Sequence, residues 1–176
     1  MALLKESDLK IYLKASNISL ASASARKLDY ERFDVFLSHS YLDKNLVFAI
    51  KNYLEEYGVS VYVDWIDEPE LDRSSVDAET AATLRKRMSQ CKSLLFATSS
   101  NSTSSKWMPW ECGYFDGING KVAIFPIAKS DENSFSGQEY LGLYPYIDVA
   151  AKEIWINSIK SGHCNIKDWL NGKSPD

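Results

Sequence analysis

The 176-residue chain is poor in the residues that mark several common functional classes. It has three cysteines (Cys91, Cys112 and Cys164), an odd number with wide spacing and no Cys-x-x-Cys pair. That argues against a disulfide framework or a structural zinc site. Two histidines, His39 and His163, are too few for a His-rich metal centre, so no metal is expected. Eight glycines are scattered, and neither Gly-x-Gly-x-x-Gly nor Gly-x4-Gly-Lys-Ser/Thr occurs, which excludes the dinucleotide and P-loop fingerprints. No Gly-x-Ser-x-Gly elbow is present. A basic surplus is missing as well: 24 acidic against 20 basic residues give a net charge of −4, the wrong sign for general nucleic-acid binding. No apolar run approaches the ~18–20 residues that span a bilayer. The first thirteen residues mix Lys5, Glu6, Asp8 and Lys10 among leucines and so lack a signal-peptide core. A cytoplasmic, reduced setting is expected, without membrane or nucleic-acid partners.

What is there is globular: 45% hydrophobic and 25% charged residues are ordinary for a packed domain, and the length suits one. Residues 1–29 read as an N-terminal extension and linker. Ser7 is placed to cap a short helix through Leu13, and the small polar run Ala15 to Ala25 follows it. The domain proper is expected over 30–176.

Phe33 to Ser38 reads as a strand buried on both faces. From Asp43 to Tyr57, Leu46, Ile50, Tyr53 and Tyr57 recur at helical spacing, with Ser40 and Asp43 as a capping box and Gly58 as the terminating residue. Val59 to Trp65 reads as the second strand. The acidic positions Asp67, Glu68, Glu70 and Asp72 read as a solvated loop. A helix over Ala78 to Gln90 with Ala81, Leu84, Met88 and Cys91 inward precedes a third strand, Ser93 to Thr98. The Ser/Thr/Asn run Ser99 to Ser105 leads to a helix with Pro109 at its first position, extending to Tyr114 or Phe115. Val122 to Ile127 is a fourth strand. Either Ile147 to Val149 or Glu153 to Ile156 supplies a fifth, and Asn165 to Leu170 a last helix.

Strands alternating with helices imply an α/β fold, a parallel sheet of about five strands with helices on both faces. Ligands of such sheets bind beyond the carboxyl ends of the strands, at a switch point. The loops to search are therefore 38–43, 64–77, 99–110 and 128–139. A response-regulator reading fails there. Strand one ends Ser38-His39-Ser40 rather than before an acidic pair, and strand three ends Thr98-Ser99-Ser100 rather than on a phosphoacceptor aspartate.

Two blocks remain. Phe33-Asp34-Val35-Phe36-Leu37-Ser38-His39-Ser40 opens the domain, and Ser104-Ser105-Lys106-Trp107-Met108-Pro109-Trp110-Glu111 follows strand three. Together, in this order on these elements, they resemble the TIR domain family, specifically its bacterial members of the Thoeris antiphage type. The resemblance covers about Tyr30 to Ile156. It implies a flavodoxin-like TIR fold and cleavage of the nicotinamide–ribose bond of NAD, with Glu111 as the essential carboxylate. Trp107, four residues earlier, would line the substrate site. Ser38, His39, Ser40 and Asp43 would border the substrate, with Ser105 from the serine-rich loop. NAD would be substrate, with no resident cofactor. Self-association through TIR–TIR contacts, and a separate effector activated by an ADP-ribose or cyclic ADP-ribose product, are further implications. Two other readings stay open: a non-catalytic TIR self-association module, and a nucleoside deoxyribosyltransferase-like enzyme. On the residues alone, Trp110 reads as core and Cys112 as a packing residue.

Overall fold

The computed structural model describes residues 3–14, 31–69, 71, 77–128 and 138–176. The linker expected over 15–25, Glu70 and Asp72, and most of the 128–139 loop lie outside these residues.

The element order is β1 (Leu4–Lys5), α1 (Glu6–Lys14), β2 (Phe33–Ser38), α2 (Lys44–Glu56), β3 (Val61–Tyr62), α3 (Asp64–Asp67), α4 (Ala78–Ser89), β4 (Cys91–Thr98), α5 (Trp107–Asn119), β5 (Val122–Ala128), β6 (Tyr146–Ala150), β7 (Glu153–Asn157), β8 (His163–Asn165) and α6 (Ile166–Leu170). Single 3-10 turns occupy Tyr41–Asp43, Ser102–Ser104 and Glu139–Leu143. Strand order is β3-β2-β4-β5-β6-β7-β8, with β1 also pairing β5. The pairs β3-β2, β2-β4, β4-β5 and β5-β6 are parallel, and β6-β7-β8 is antiparallel.

Side chains of a strand alternate between faces, so β2 feeds two cores. Val35 and Leu37 join Val47, Ile50 and Leu54 of α2 on one face, where Leu9 of α1 is also buried. Phe36 joins Leu84 and Met88 of α4 and Met108 and Phe115 of α5 on the other. The helices therefore lie on both faces, as the α/β reading required. Gly58 stands just past α2 with φ +75°, and its N–H reaches Glu55 O at 2.9 Å, the left-handed stop expected of it.

Four expectations are corrected. Residues 3–14 are packed onto the domain rather than appended to it: β1 joins the sheet and α1 lies against α2. Leu4 and Lys5 pair with Ile127 and Ala128, and Tyr12 meets Tyr53 of α2 edge-on at 5.3 Å. Ser7 lies inside α1 rather than capping it. The second strand is only Val61–Tyr62, because carboxylates take over the backbone after it: Asp67 accepts the Val63 N–H at 2.7 Å and Asp64 the Trp65 N–H at 2.8 Å. The candidates for a fifth strand are both strands, joined by a two-residue turn in which Ala151 (φ 52°) and Lys152 (φ 62°) adopt left-handed backbone. Such a turn usually announces itself by Asn-Gly or Asp-Gly, and neither is present.

The acidic residues after β3 are also not a solvated loop where they are described. Asp67 lies 3.7 Å from the buried Lys51 ammonium, which also contacts Glu55 at 2.9 Å and the Val61 carbonyl. Glu68 accepts Arg87 Nε at 2.9 Å and the Tyr62 hydroxyl at 2.7 Å, and Arg87 Nη2 reaches its other oxygen. Burial pushes the Glu68 carboxyl upward, but the bonds from Arg87 and Tyr62 and the Arg87 charge outweigh it and leave its pKa lowered. A carboxyl with a folded pKa below its unfolded value stabilises the protein above the unfolded pKa, and that contribution disappears as pH falls through the folded one. Glu68→Gln is therefore expected to cost about 1–3 kcal/mol at pH 7. The gap to the unsubstituted protein should close as pH drops below about 4, the ordinary glutamate range. Thermal melts of both proteins from pH 7 to pH 3 check this, and a gap independent of pH would contradict it.

Candidate active site

The chain runs from β2 through α2 to β3 on one side of β2, then crosses back through α4 to β4 on its other side. The crevice beyond the carboxyl ends of β2 and β4 is the switch point, where parallel sheets bind ligands. Ser38 is the last residue of β2, paired in register with Phe96, and Thr98 is the last of β4. Both expected blocks therefore converge here.

Helix α5 starts at Trp107, two residues before the expected Pro109, and runs on to Asn119, where Gly120 (φ +65°) ends it. Pro109 is the third residue, still within the first turn, whose N–H groups have no helical partner to lose. The earlier start moves Glu111 to the fifth position. It is not an exposed acid complementing the helix terminus, for it has no solvent-accessible surface at all. Ser38 Oγ donates to Glu111 Oε2 at 2.6 Å, joining β2 to α5 across 73 residues of sequence. Removing a carboxyl group from water is costly unless hydrogen-bond partners replace its hydration, so this short bond is central to the site.

The other candidates surround that pair, each with its own bonds. His39 is buried, with Nδ1 2.8 Å from the Leu37 carbonyl and Nε2 facing Asp64 Oδ1 at 3.4 Å, an ion-pair distance without hydrogen-bond geometry. It brings the end of β2 against the first residue of α3. Ser40 is buried, and its hydroxyl accepts the Leu42 N–H at 3.4 Å. Asp43 does not complete a capping box with it. Its carboxylate instead accepts Asn101 Nδ2 at 2.6 Å and the Ser99 hydroxyl, bracing the loop after β2 against the loop after β4. Ser105 Oγ accepts the Met108 N–H at 3.3 Å and so caps α5. Trp107 is 6% exposed, packed among Phe36, Phe96 and Met108, with Trp110 edge-on at 5.5 Å. It is the more buried of the two tryptophans. Trp110, expected in the core, is half-buried, stacked on Tyr114 with the Arg85 guanidinium 5.4 Å from its ring centroid.

Asp64, Ser99 and Asn101 are the participants that sequence reading did not single out. Their residue types suited a polar loop, but their partners are distant in sequence and nothing local announces the pairing. Cys112, beside Glu111, is a packing residue as expected. Burial pushes its thiol up to about 11, with the nearby Asp116 and Glu111 carboxylates adding to the shift. It stays a neutral thiol at physiological pH.

Because Ser38 and Glu111 are both fully buried, their bond should be measurable as a coupling. A double-mutant cycle with Ser38→Ala and Glu111→Gln in chemical denaturation is expected to give about 1–3 kcal/mol between them. Strictly additive effects would show that the two side chains do not depend on each other.

The model of the TIR domain family matches residues 35–158, from β2 past the end of β7. A probable 3' cyclic ADP-D-ribose synthase ThsB' of Bacillus cereus (strain MSX-D12) is 54% identical over 145 residues, covering 78% of this chain and 75% of that protein. A putative cyclic ADP-D-ribose synthase TIR2 of Cytobacillus dafuensis is 36% identical over 101 residues, covering 57% of this chain but only 26% of that protein. The family match takes in all but the first two residues of the opening block, the whole of the second block and the strands from β3 to β7, and the chain belongs to the TIR domain family.

Proposed function

We propose that this chain cleaves the nicotinamide–ribose bond of NAD and forms ADP-ribose or a cyclic ADP-ribose isomer, a signal in antiphage defence of the Thoeris type. The observation that carries the reading is the Glu111 carboxylate, buried at the switch point of the sheet and held by Ser38. The two relatives are named as cyclic ADP-D-ribose synthases, which favours a cyclised product over capture by water.

The chemistry suits a single carboxylate. When the ribose C1′–N bond breaks, its electron pair leaves with nicotinamide, which departs neutral, so no general acid is needed. Positive charge is left on the ribose ring as an oxocarbenium-like centre. A fixed carboxylate beside that centre stabilises it without reorganising, most effectively where water is excluded. An internal hydroxyl that attacks C1′ must lose a proton, and in this reading Glu111 receives it. Trp107, one helical turn before Glu111 on the same side of α5, would wall the nicotinamide end. His39, Ser40, Asp43 and Ser105 act in this reading by holding the crevice loops in place. NAD is consumed as substrate, and the reaction asks for no resident cofactor.

Glu111 has no exposed surface in the single chain. Substrate access therefore requires the crevice to open, and in this reading TIR–TIR self-association supplies the opened form. The product then acts on a separate effector protein. Among the described residues no helix is long and apolar enough to cross a membrane. All three cysteines are free and buried, which suits the cytoplasmic setting where NAD is available.

Glu111→Gln keeps the side-chain volume and is expected to reduce nicotinamide release at least a thousandfold, with an unchanged circular dichroism spectrum. Turnover near that of the unsubstituted chain in a folded variant would remove Glu111 from the mechanism. Self-association should also make the initial rate per protomer rise across a hundredfold range of protein concentration, in step with mass from light scattering. A flat rate from a persistently monomeric protein would show that one chain suffices.

A further inference from the structure

A cleft of about 760 Å³ opens between α1 and the start of α2, beside the crevice but not over Glu111. The volume falls within the ~300–1,000 Å³ of small-molecule sites. Its walls differ in character. Leu9 and Leu13 of α1 face Leu46 and Ala49 of α2 and make an apolar floor. Lys10 of α1 and Lys44 of α2 both line it, and both are exposed. The Lys44 ammonium lies 4.3 Å from the Tyr41 ring centroid and 5.6 Å from that of Trp65, so aromatic faces hold it. Ser100 and Asn101 close the side nearest the end of β4. Two acids, Glu6 and Asp43, also line the cleft. Asp43 has both carboxylate oxygens engaged by Ser99 and Asn101, which partly offsets its charge.

Apolar floor, paired cations and loop amides together suit a ligand with a flat base, an anionic linker and sugar hydroxyls. The cleft is joined to the Glu111 site by one short loop. Ser38, which holds that carboxylate, is followed within five residues by Asp43, which lines the cleft. A molecule with its reacting bond at Glu111 and its far end in the cleft would pass along the loop from residue 38 to residue 43. With no glycine-rich phosphate loop in the sequence, the cation for a diphosphate must come from side chains.

We propose that this cleft holds the adenosine diphosphate end of NAD. Lys10 and Lys44 face the diphosphate, Leu13 and Leu46 take the adenine, and Asn101 faces ribose hydroxyls. The inference rests on the NAD-cleaving reading and deepens it. It gives α1, a segment outside the 35–158 span of the family match, a share of the binding site.

The test is the Lys10→Glu/Lys44→Glu double variant, with both changes at exposed positions and thermal melting as the folding control. Two measurements are made: binding of ADP by calorimetry, and kcat/KM for NAD beside that for nicotinamide mononucleotide, which lacks the adenosine monophosphate half. The unsubstituted chain is expected to bind ADP, and the variant to bind it at least tenfold more weakly. The variant's preference for NAD over nicotinamide mononucleotide should fall at least tenfold through a raised KM for NAD. An unchanged preference, or equal losses on both substrates, would overturn the proposal while leaving NAD cleavage itself intact. If the unsubstituted chain releases no nicotinamide from either substrate, the NAD reading fails. ADP binding lost in the variant would then still identify the cleft as a nucleotide site.

Discussion

A carboxylate with no contact to solvent must be stabilised by the protein around it, and the hydrogen bond from Ser38 to Glu111 is where this fold meets that demand. The bond joins two elements 73 residues apart in the chain and fixes each against the other. On one side, β2 is fixed by parallel pairing with both β3 and β4, so the hydroxyl at its end cannot slide. On the other, α5 is held against the sheet by Trp107, Met108, Cys112 and Phe115, all buried on the side that also buries Glu111. Core packing of this density transmits small changes, so the large side chains behind the site bear directly on the carboxylate's position.

The rim of the crevice is held by polar bonds rather than apolar packing. Asp43 links the loop after β2 to that after β4, and His39 reaches Asp64 beyond β3. One turn further on, Asp67 meets Lys51 of α2, and Glu68 meets Arg87 of α4 and Tyr62 of β3. The first joins two loops at the ligand-binding end of the sheet, and the others tie the segment after β3 to elements of the scaffold. Such bonds contribute modestly to net stability but strongly to geometry, because a buried partner left unmatched is costly. Residues that the family resemblance implied as substrate contacts thus have structural work in the closed chain. This bears on how the crevice opens: the loops are tied at defined points, and movement must break or carry those ties.

How far the sequence revealed this depends on the range of each signal. The buried run Phe33 to Ser38, the helical spacing before Gly58 and the capped terminal helix at Asn165 are local patterns, and the structure shows each of them. The position of Glu111 was legible because a serine-rich loop and a tryptophan four residues earlier frame it. Its burial was not, since the Ser38 partner lies 73 residues away. The short β3 escaped notice because Val59 to Trp65 has strand-like side chains, whereas Asp64 and Asp67 redirect the backbone N–H groups. The β6–β7 hairpin was hidden by a left-handed turn built from Ala151 and Lys152, residues that ordinarily avoid that backbone. The place of β1 and α1 in the sheet rests on contacts with β5 and α2 that no local pattern encodes.

The architecture buries the Glu111 carboxylate completely at the carboxyl ends of the parallel strands and surrounds it with braced polar loops. That arrangement fits a reaction in which the leaving group departs neutral and only the sugar's developing positive charge needs stabilising. A deoxyribosyltransferase-like reaction also uses a carboxylate at a glycosidic bond, and what separates the two is the bond that breaks. The most direct measurement is to incubate the unsubstituted chain with NAD and, separately, with deoxyadenosine, and to quantify the released bases by chromatography. The account predicts nicotinamide from NAD, accompanied by ADP-ribose or a cyclic isomer, and no adenine from deoxyadenosine. Adenine released from deoxyadenosine, with no nicotinamide from NAD, would contradict it.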